Sequence, residues 1–307
     1  MRSQMRIPYY PGCTLKTKAD GFETSALAAA ERLGVELVEL PRWNCCGTVY
    51  SLADDDLIHH VAAVRNLVRV QEMNESGLVE DEHRLVTLCS MCFNTLKRSN
   101  IRMLENPEDL EKINALMDRE DDYLGKVEVV HFLEILREIG FQRIGELVER
   151  PLSDLRIAPY YGCMLLRPAE AGIDDPEEPS VQEELLSALG AEPVDTPYKK
   201  VCCGSYQTVR DPSVVAGLAY DILEHARSAG AEAVVTSCPL CAFNLDSRQR
   251  EVGEEHPSFR EIPVLYFTQL MALALGLGAD RCGFHRNYVS PEPLLRRKGL
   301  IQEEDHG

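Results

Sequence analysis

Positive charge is what this sequence has least of. Lys and Arg number 32 against 50 Asp and Glu, a net charge of −18 over 307 residues. Sequence-independent binding of nucleic acid needs a basic face, and anionic lipid attracts the same residues. Neither is expected as a partner. Long apolar runs are missing too. The longest, Val264 to Ala279, is interrupted by Gln269 and falls short of the roughly 18 residues of a membrane span, so a buried helix is expected there. Met1 to Pro11 has basic residues but no apolar stretch, so no secretory leader is expected and a cytoplasmic, reducing setting follows. A glycine-rich dinucleotide fingerprint is also absent. Gly276-Leu277-Gly278 supplies two glycines, but Arg281 stands at the third position and the segment follows a helix-like run. The chain therefore carries no sign of a flavin site of its own.

What remains is an ordinary globular composition, 45% hydrophobic and 27% charged, long enough for two domains and for a core without disulfide staples. The chain has eleven cysteines. That is too few for a small disulfide scaffold in so long a chain and too many for core filler. In a reducing compartment, clustered cysteines point to metal or redox sites.

Ten of the cysteines repeat. Cys13, Cys45, Cys46, Cys89 and Cys92 form C-x31-CC-x42-CxxC; Cys163, Cys202, Cys203, Cys238 and Cys241 form C-x38-CC-x34-CxxC. The flanks agree. Pro8-Tyr9-Tyr10-Pro11-Gly12-Cys13 matches Pro159-Tyr160-Tyr161-Gly162-Cys163 with Pro11 extra, and Asn44-Cys45-Cys46-Gly47 matches Val201-Cys202-Cys203-Gly204. Leu85 to Asn94 matches Val234 to Asn244 with Ala242 extra, and Val127 to Gly140 resembles Ile262 to Gly276. This is a tandem duplication, with the first domain over 1–150 and the second over 151–307. Its period is too long for a solenoid.

Local patterns place the cysteines. Thr24 to Leu33 is Ala-rich and helix-like with Gly34 as its stop, and Glu36 to Leu40 reads as a half-buried strand. Leu85 to Leu88 and Ala233 to Thr236 read as short buried strands. Helix-like segments, Phe93 to Leu104 and Ala242 to Glu251, follow each CxxC. The pattern predicts an α/β fold: two similar domains, each with a small, largely parallel sheet flanked by helices, with sites at the carboxyl ends of the strands. The longer x42 gap predicts an inserted surface segment around Asn74 to His83. Asn106 to Asp122 reads as a solvated surface helix and Asp174 to Ser180 as a surface loop.

Thiolates suit zinc, copper(I) or iron–sulfur clusters. A tetrahedral zinc takes four ligands, whereas each half offers five, two of them adjacent. Adjacent cysteines strain to reach one ion but can reach different irons of one cluster. Clusters usually take four cysteines, so a fifth is unusual. Gly47 and Gly204, after each cysteine pair, allow a positive φ and a close backbone approach to a bulky group; a simple turn glycine is the plainer reading. Cys238-Pro239-Leu240-Cys241 could instead be a redox dithiol, but that leaves six of the ten cysteines unexplained. A zinc-stabilised scaffold is the remaining alternative.

These motifs, Tyr9-Tyr10-Pro11-Gly12-Cys13, Trp43-Asn44-Cys45-Cys46-Gly47, Cys89-Ser90-Met91-Cys92 and their second-half partners, resemble the cysteine-rich CCG domain. Over nearly its full length the chain resembles the B-type subunit of heterodisulfide reductase. The resemblance implies two non-cubane 4Fe-4S clusters, one held by Cys13, Cys45, Cys46, Cys89 and Cys92 and the other by Cys163, Cys202, Cys203, Cys238 and Cys241. It implies reduction of a disulfide, in methanogens the mixed disulfide of coenzyme M and coenzyme B, or the reverse thiol oxidation, with each cluster giving one electron. Electrons would come from a ferredoxin-like iron–sulfur subunit of the C type, behind which sits a flavin-containing subunit of the A type. An electron-relay subunit without a disulfide substrate is the alternative.

Other residues stand beside these. Cys282 lies outside both repeats and reads as a spare thiol. His131, whose repeat counterpart is Tyr266, is open to two roles: a satisfied structural histidine or a proton donor near the sulfurs. His59 and His60 are expected on an exposed helix face. Lys16, Lys18, Arg167, Lys199, Lys200 and Arg210 flank cysteines; most are expected in solvent, a few against an anionic disulfide or a partner's acidic edge. Trp43, Tyr9, Tyr10, Tyr160 and Tyr161 read as core that shields the cysteine sites from water.

Overall fold

The structure, a computed structural model, describes residues 5–48, 56–79 and 83–302. Alternation of short apolar runs with longer helical segments folds into two four-stranded sheets. In the first half the strands are β1 (Met5–Tyr10), β2 (Val35–Glu39), β3 (Arg84–Thr87) and β4 (Glu128–His131). In the second they are β5 (Arg156–Pro159), β6 (Glu192–Pro193), β7 (Ala233–Thr236) and β8 (Val264–Tyr266). The sheet orders are β2-β1-β3-β4 and β6-β5-β7-β8. Every pairing is parallel, and the central strands are buried almost throughout, as parallel sheets covered on both faces require.

The first half's helices are α1 (Asp20–Arg32), α2 (Val61–Glu75), α3 (Ser90–Glu105), α4 (Pro107–Leu116), α5 (Phe132–Ile139) and α6 (Phe141–Glu146). The second half's are α7 (Val181–Ala188), α8 (Gln207–Arg210), α9 (Pro212–Ser228), α10 (Pro239–Ser247), α11 (Gln249–Glu255) and α12 (Phe267–Ala274), followed by α13 (Ala279–Cys282) and α14 (Glu292–Arg297). Gly34, at φ +79°, ends α1 in the left-handed region as expected. No helix among the described residues is long and apolar enough to cross a membrane.

The apolar run at 264–279 is β8 followed by α12, not one helix. Gln269, which interrupts it, is the third residue of α12, and its Oε1 accepts the Tyr266 N–H at 2.9 Å. Glu134 does the same for His131 at 2.7 Å in the first half. Such capping boxes hold a strand-to-helix corner, and they make His131 and Tyr266 equivalent. The register also removes the extra proline of the motif alignment. Tyr9 pairs with Val86 as Pro159 pairs with Val235, so Tyr10 is the counterpart of Tyr160 and no residue is inserted before the Gly-Cys. The longer gap is shared between two places. Eight residues separate α2 from β3 against four between α9 and β7, and 14 separate Cys46 from α2 against eight between Cys203 and α9. Part of the larger share, 49–55, lies outside the described residues, as do 80–82 of the expected insertion.

The halves pack face to face: α1 lies on α12, and α5 on α7. Phe22 stacks on Tyr266 with ring centroids 4.1 Å apart, and the Ser25 and Thr268 hydroxyls bond at 2.7 Å. At these contacts the seam is fitted as closely as the cores on either side.

Candidate functional site

Each strand of the central pair ends at a cysteine turn, so the carboxyl ends of β1 and β3, and of β5 and β7, collect the thiols. Cys89 is the extended N-cap of α3 and Cys238 that of α10. The helices therefore begin one residue after the first cysteine of each CxxC, and Cys92 and Cys241 lie within their first turns. Pro239, at the first helical position, is the local signal for this start.

In the first half the Cys13 and Cys45 sulfurs are 4.0 Å apart and those of Cys46 and Cys92 3.6 Å. In the second, Cys203 and Cys241 are 3.4 Å apart. All are free thiols. Cys46, Cys89, Cys92, Cys203, Cys238 and Cys241 are buried, while Cys13, Cys45 and Cys202 are exposed. Each set thus runs from the core to an open edge. Cys45 and Cys202 are held well below the ordinary thiol range, first by the thiols of Cys13 and Cys163, then by those of Cys46 and Cys203, with the Gly47 and Gly204 N–H groups adding to it. A thiolate at these positions is the form that ligates metal. Among the described residues, no three His, Cys, Asp or Glu side chains converge on the point a single ion needs. The donor set, all sulfur and spread over pairs, suits a group larger than one ion.

Gly47 and Gly204 take φ of +78° and +91°. A Cβ there would meet Ala62 and Val215, so these glycines bring the cysteine turn onto the following helix. A further close backbone approach to sulfur is made by Gly12 and Gly162. A Cβ there would lie 3.1 Å from the Cys92 sulfur and 3.3 Å from that of Cys241. Both glycines have positive φ, and their place before a repeated cysteine is the signal the sequence offers. Tyr10 and Tyr160 are buried beside them, their hydroxyls donating to the carbonyls of Asn44 and Val201, just before each cysteine pair, at 2.9 and 2.6 Å. Trp43 is half-buried, edge-on to Tyr10. Tyr9 and Tyr161 are buried too but bond Glu23 and Glu183.

The two thiol sets meet. The thiols of Cys89 and Cys238 lie against each other across the seam, which pushes Cys89 up and Cys238 down. Beside them the Ser90 and Ser237 hydroxyls bond at 2.7 Å, and the Ser90 N–H donates to the Ser237 carbonyl at 3.2 Å. Asn94 Nδ2 donates to the carbonyls of Met164 and Arg167, in the loop after Cys163, at 2.9 and 2.7 Å. Sequence reasoning finds none of these seam partners.

His131 is fully buried, its Nε2 donating to the Leu88 carbonyl at 2.7 Å and its Nδ1 accepting from the Leu133 N–H at 3.2 Å. Both nitrogens are committed and burial keeps the ring neutral, lowering its pKa to about 3. His60 is buried, not exposed, with Nδ1 2.9 Å from the Ser99 hydroxyl. Cys282 is buried apart from both sets and pushed up to about 12 by that burial. Lys16, Arg167, Lys199 and Lys200 are paired with Glu23 and Glu39, Glu177, Glu183 and Asp195, and Glu177. Lys18 and Arg210 have no such pair among the described residues.

Known proteins resemble this chain. The family profile for the CCG cysteine-rich domain matches twice, at residues 7–97 and 157–246. The chain is 32% identical, over 95% of its length and 99% of the relative, to the 8-methylmenaquinol:fumarate reductase membrane anchor subunit of Wolinella succinogenes. It is 31% identical, over 95% of its length and 96% of the relative, to the B-type subunit of the ferredoxin/F420H2-dependent CoB-CoM heterodisulfide reductase of Methanosarcina acetivorans. The crystal structure of a hypothetical protein from Helicobacter pylori superposes with a TM-score of 0.71 at 12% identity, over 92% of this chain and 51% of that one; this shows the shared fold alone. With both copies of the cysteine motif matched and the similarity running end to end, the chain belongs to the family of heterodisulfide reductase B-type subunits, the tandem CCG cysteine-rich proteins.

Proposed function

We propose that this chain is the disulfide-reducing, or in reverse thiol-oxidising, subunit of a heterodisulfide-reductase-like complex. Its halves divide near Pro151, and the five cysteines of each hold one non-cubane 4Fe-4S cluster. The observation that carries the proposal is the meeting of the two thiol sets at one seam through Cys89 and Cys238. When bound, such clusters supply one electron each, and a disulfide accepts two electrons and two protons to give two thiols. The chain's own residues do the rest. Gly12 and Gly162 let the backbone close on the sulfurs. The Gly47 and Gly204 N–H groups favour thiolate at Cys45 and Cys202, while Tyr10 and Tyr160 exclude water from the buried side. Cys13, Cys45 and Cys202 leave the other side open to a disulfide. His131, neutral and committed, orients the Leu88 carbonyl beside Cys89. Electrons would reach the chain from a ferredoxin-like C-type subunit and an A-type flavin subunit, in a reducing cytoplasm that keeps the thiols free.

The similarity to a fumarate reductase subunit favours a second reading, a relay that passes electrons between partners without a disulfide of its own. Iron, sulfide and zinc content of anaerobically purified protein, with paramagnetic resonance before and after adding disulfide, separates them. About eight irons per chain and signals that change with disulfide are expected. The same iron with no response assigns the relay, and zinc with little iron overturns the ligation.

A further inference from the structure

The two halves differ at one place along the seam. Where α3 meets the loop after Cys163, the contact is filled: Asn94 reaches the Met164 and Arg167 carbonyls. Counted from the CxxC, the residue of α10 equivalent to Asn94 is Phe243. It faces the loop after Cys13 across an open cavity of about 230 Å³, lined among others by Thr14, Lys18, Leu240, Phe243, Tyr266 and Tyr288. That exceeds the roughly 150 Å³ of an engineered apolar core cavity that takes up benzene.

The cavity owes its far wall to a segment outside the duplication. Residues 283–289 cross the seam as a strap fastened to both halves. Arg286 pairs with Asp20 of α1 at 2.5 Å. Gly283 touches Gly21 so closely that a Cβ on Gly21 would lie 2.4 Å from the Gly283 carbonyl oxygen. Asn287 Nδ2 donates to the Val264 carbonyl at 2.7 Å. The buried Asp246 carboxylate accepts the Tyr288 and Val289 N–H groups at 2.7 and 3.0 Å. The strap thus forms a fixed wall of the cavity. At the cavity's edge Lys18 and Tyr288 are exposed, and Lys18 is without a carboxylate partner among the described residues; the Asp246 carboxyl also lines the cavity but is engaged by the Tyr288 and Val289 N–H groups. Arg286, on the same wall, is already neutralised by Asp20.

We propose that this strapped cavity is a binding site for a small amphipathic anion, with its aliphatic or aromatic body between Leu240, Phe243 and Tyr266 and its charged end on Lys18. The site goes beyond the cluster reading: no thiol lines it, although Thr14, Pro239, Leu240 and Ala242 come from the segments that carry Cys13, Cys238 and Cys241. Anaerobic calorimetry with the full-length, metal-loaded protein tests it, using octanoate and uncharged 1-octanol as probes. Saturable binding of one octanoate per chain is expected. Lys18→Glu weakens octanoate at least tenfold while changing octanol less than twofold, and Ala242→Trp, which fills the cavity, abolishes both. Tyr288→Ala, at an exposed position that folding tolerates, loosens both probes and covers the case in which the tryptophan variant does not fold. No saturable binding, or octanoate affinity unchanged in both Lys18→Glu and Tyr288→Ala, overturns the proposal.

Discussion

Asp246 and His131 impose opposite pH slopes on stability. Burial raises the Asp246 carboxyl from 3.8 to about 7, against the N–H groups of Val289 and Tyr288 that favour the anion, and Glu261 adds a smaller push upward. Tyr266 also faces it, and Lys18 and Arg286 share its cavity. The folded state holds this proton more tightly than the unfolded chain does. Its contribution is therefore full below about pH 4 and is lost as pH rises through about 7. His131 runs the other way. Burial lowers it from 6.5 to about 3, against the Leu88 carbonyl and Cys238, which raise it. Its contribution is full above about pH 6.5 and is lost as pH falls through about 3. Where the windows overlap the slopes oppose, so the wild-type curve alone hides both. The difference in unfolding free energy between wild type and Asp246→Asn should shrink steadily from pH 4 to pH 7 in anaerobic denaturant titrations; a flat difference refutes the assignment.

At the scale of elements, the turns that open α3 and α10 meet across the seam: the Ser237 carbonyl accepts the first N–H of α3, and the Ser90 and Ser237 hydroxyls pair. Removing the Ser90 hydroxyl leaves that of Ser237 buried and unpaired, a cost of about 1–3 kcal/mol, whereas removing the Ser237 hydroxyl costs less, because the Ser90 hydroxyl keeps its bond to the Ser237 carbonyl at 3.2 Å. Removing both should cost less than the sum of the single changes. A double-mutant cycle of Ser90→Ala and Ser237→Ala, read by chemical unfolding, is expected to give a coupling of about 0.5–2 kcal/mol; strict additivity would disprove the contact.

These elements show what the sequence makes legible. Strands β3 and β7 stand out as short buried runs, and the capping glycine of α1 as a stop, because those signals are local. The sequence pattern places the starts of α3 and α10 late because Cys89 and Cys238 are poor cap residues by type, and only Pro239 marks the turn. The motif alignment slips by one at the tyrosines because two adjacent tyrosines match either way; hydrogen-bond register alone tells Tyr10 from Tyr9. The seam leaves no trace at all. Its partners lie 147 residues apart, and no periodicity encodes a contact between two halves that each read as complete.

At the scale of the molecule, the duplication makes a pseudo-symmetric pair of thiol sets and the terminal strap breaks that symmetry on one side. Charge is distributed without regard to either. With most of the cysteine-flanking cations spent on internal carboxylates, the acidic exterior favours a partner that brings its own basic face.

The apposition of Cys89 and Cys238 has a statistical consequence. Each thiol belongs to one set but forms part of the wall around the other, so the state of one half is felt by its twin. If the sets were independent, protein reconstituted with limiting iron and sulfide would follow a binomial distribution, rich in half-filled chains. Shared walls should instead drive an all-or-none population, with chains of four irons scarce between those of none and those of about eight. Native mass spectrometry counts the three species directly, and a binomial spectrum would show that the halves ignore each other.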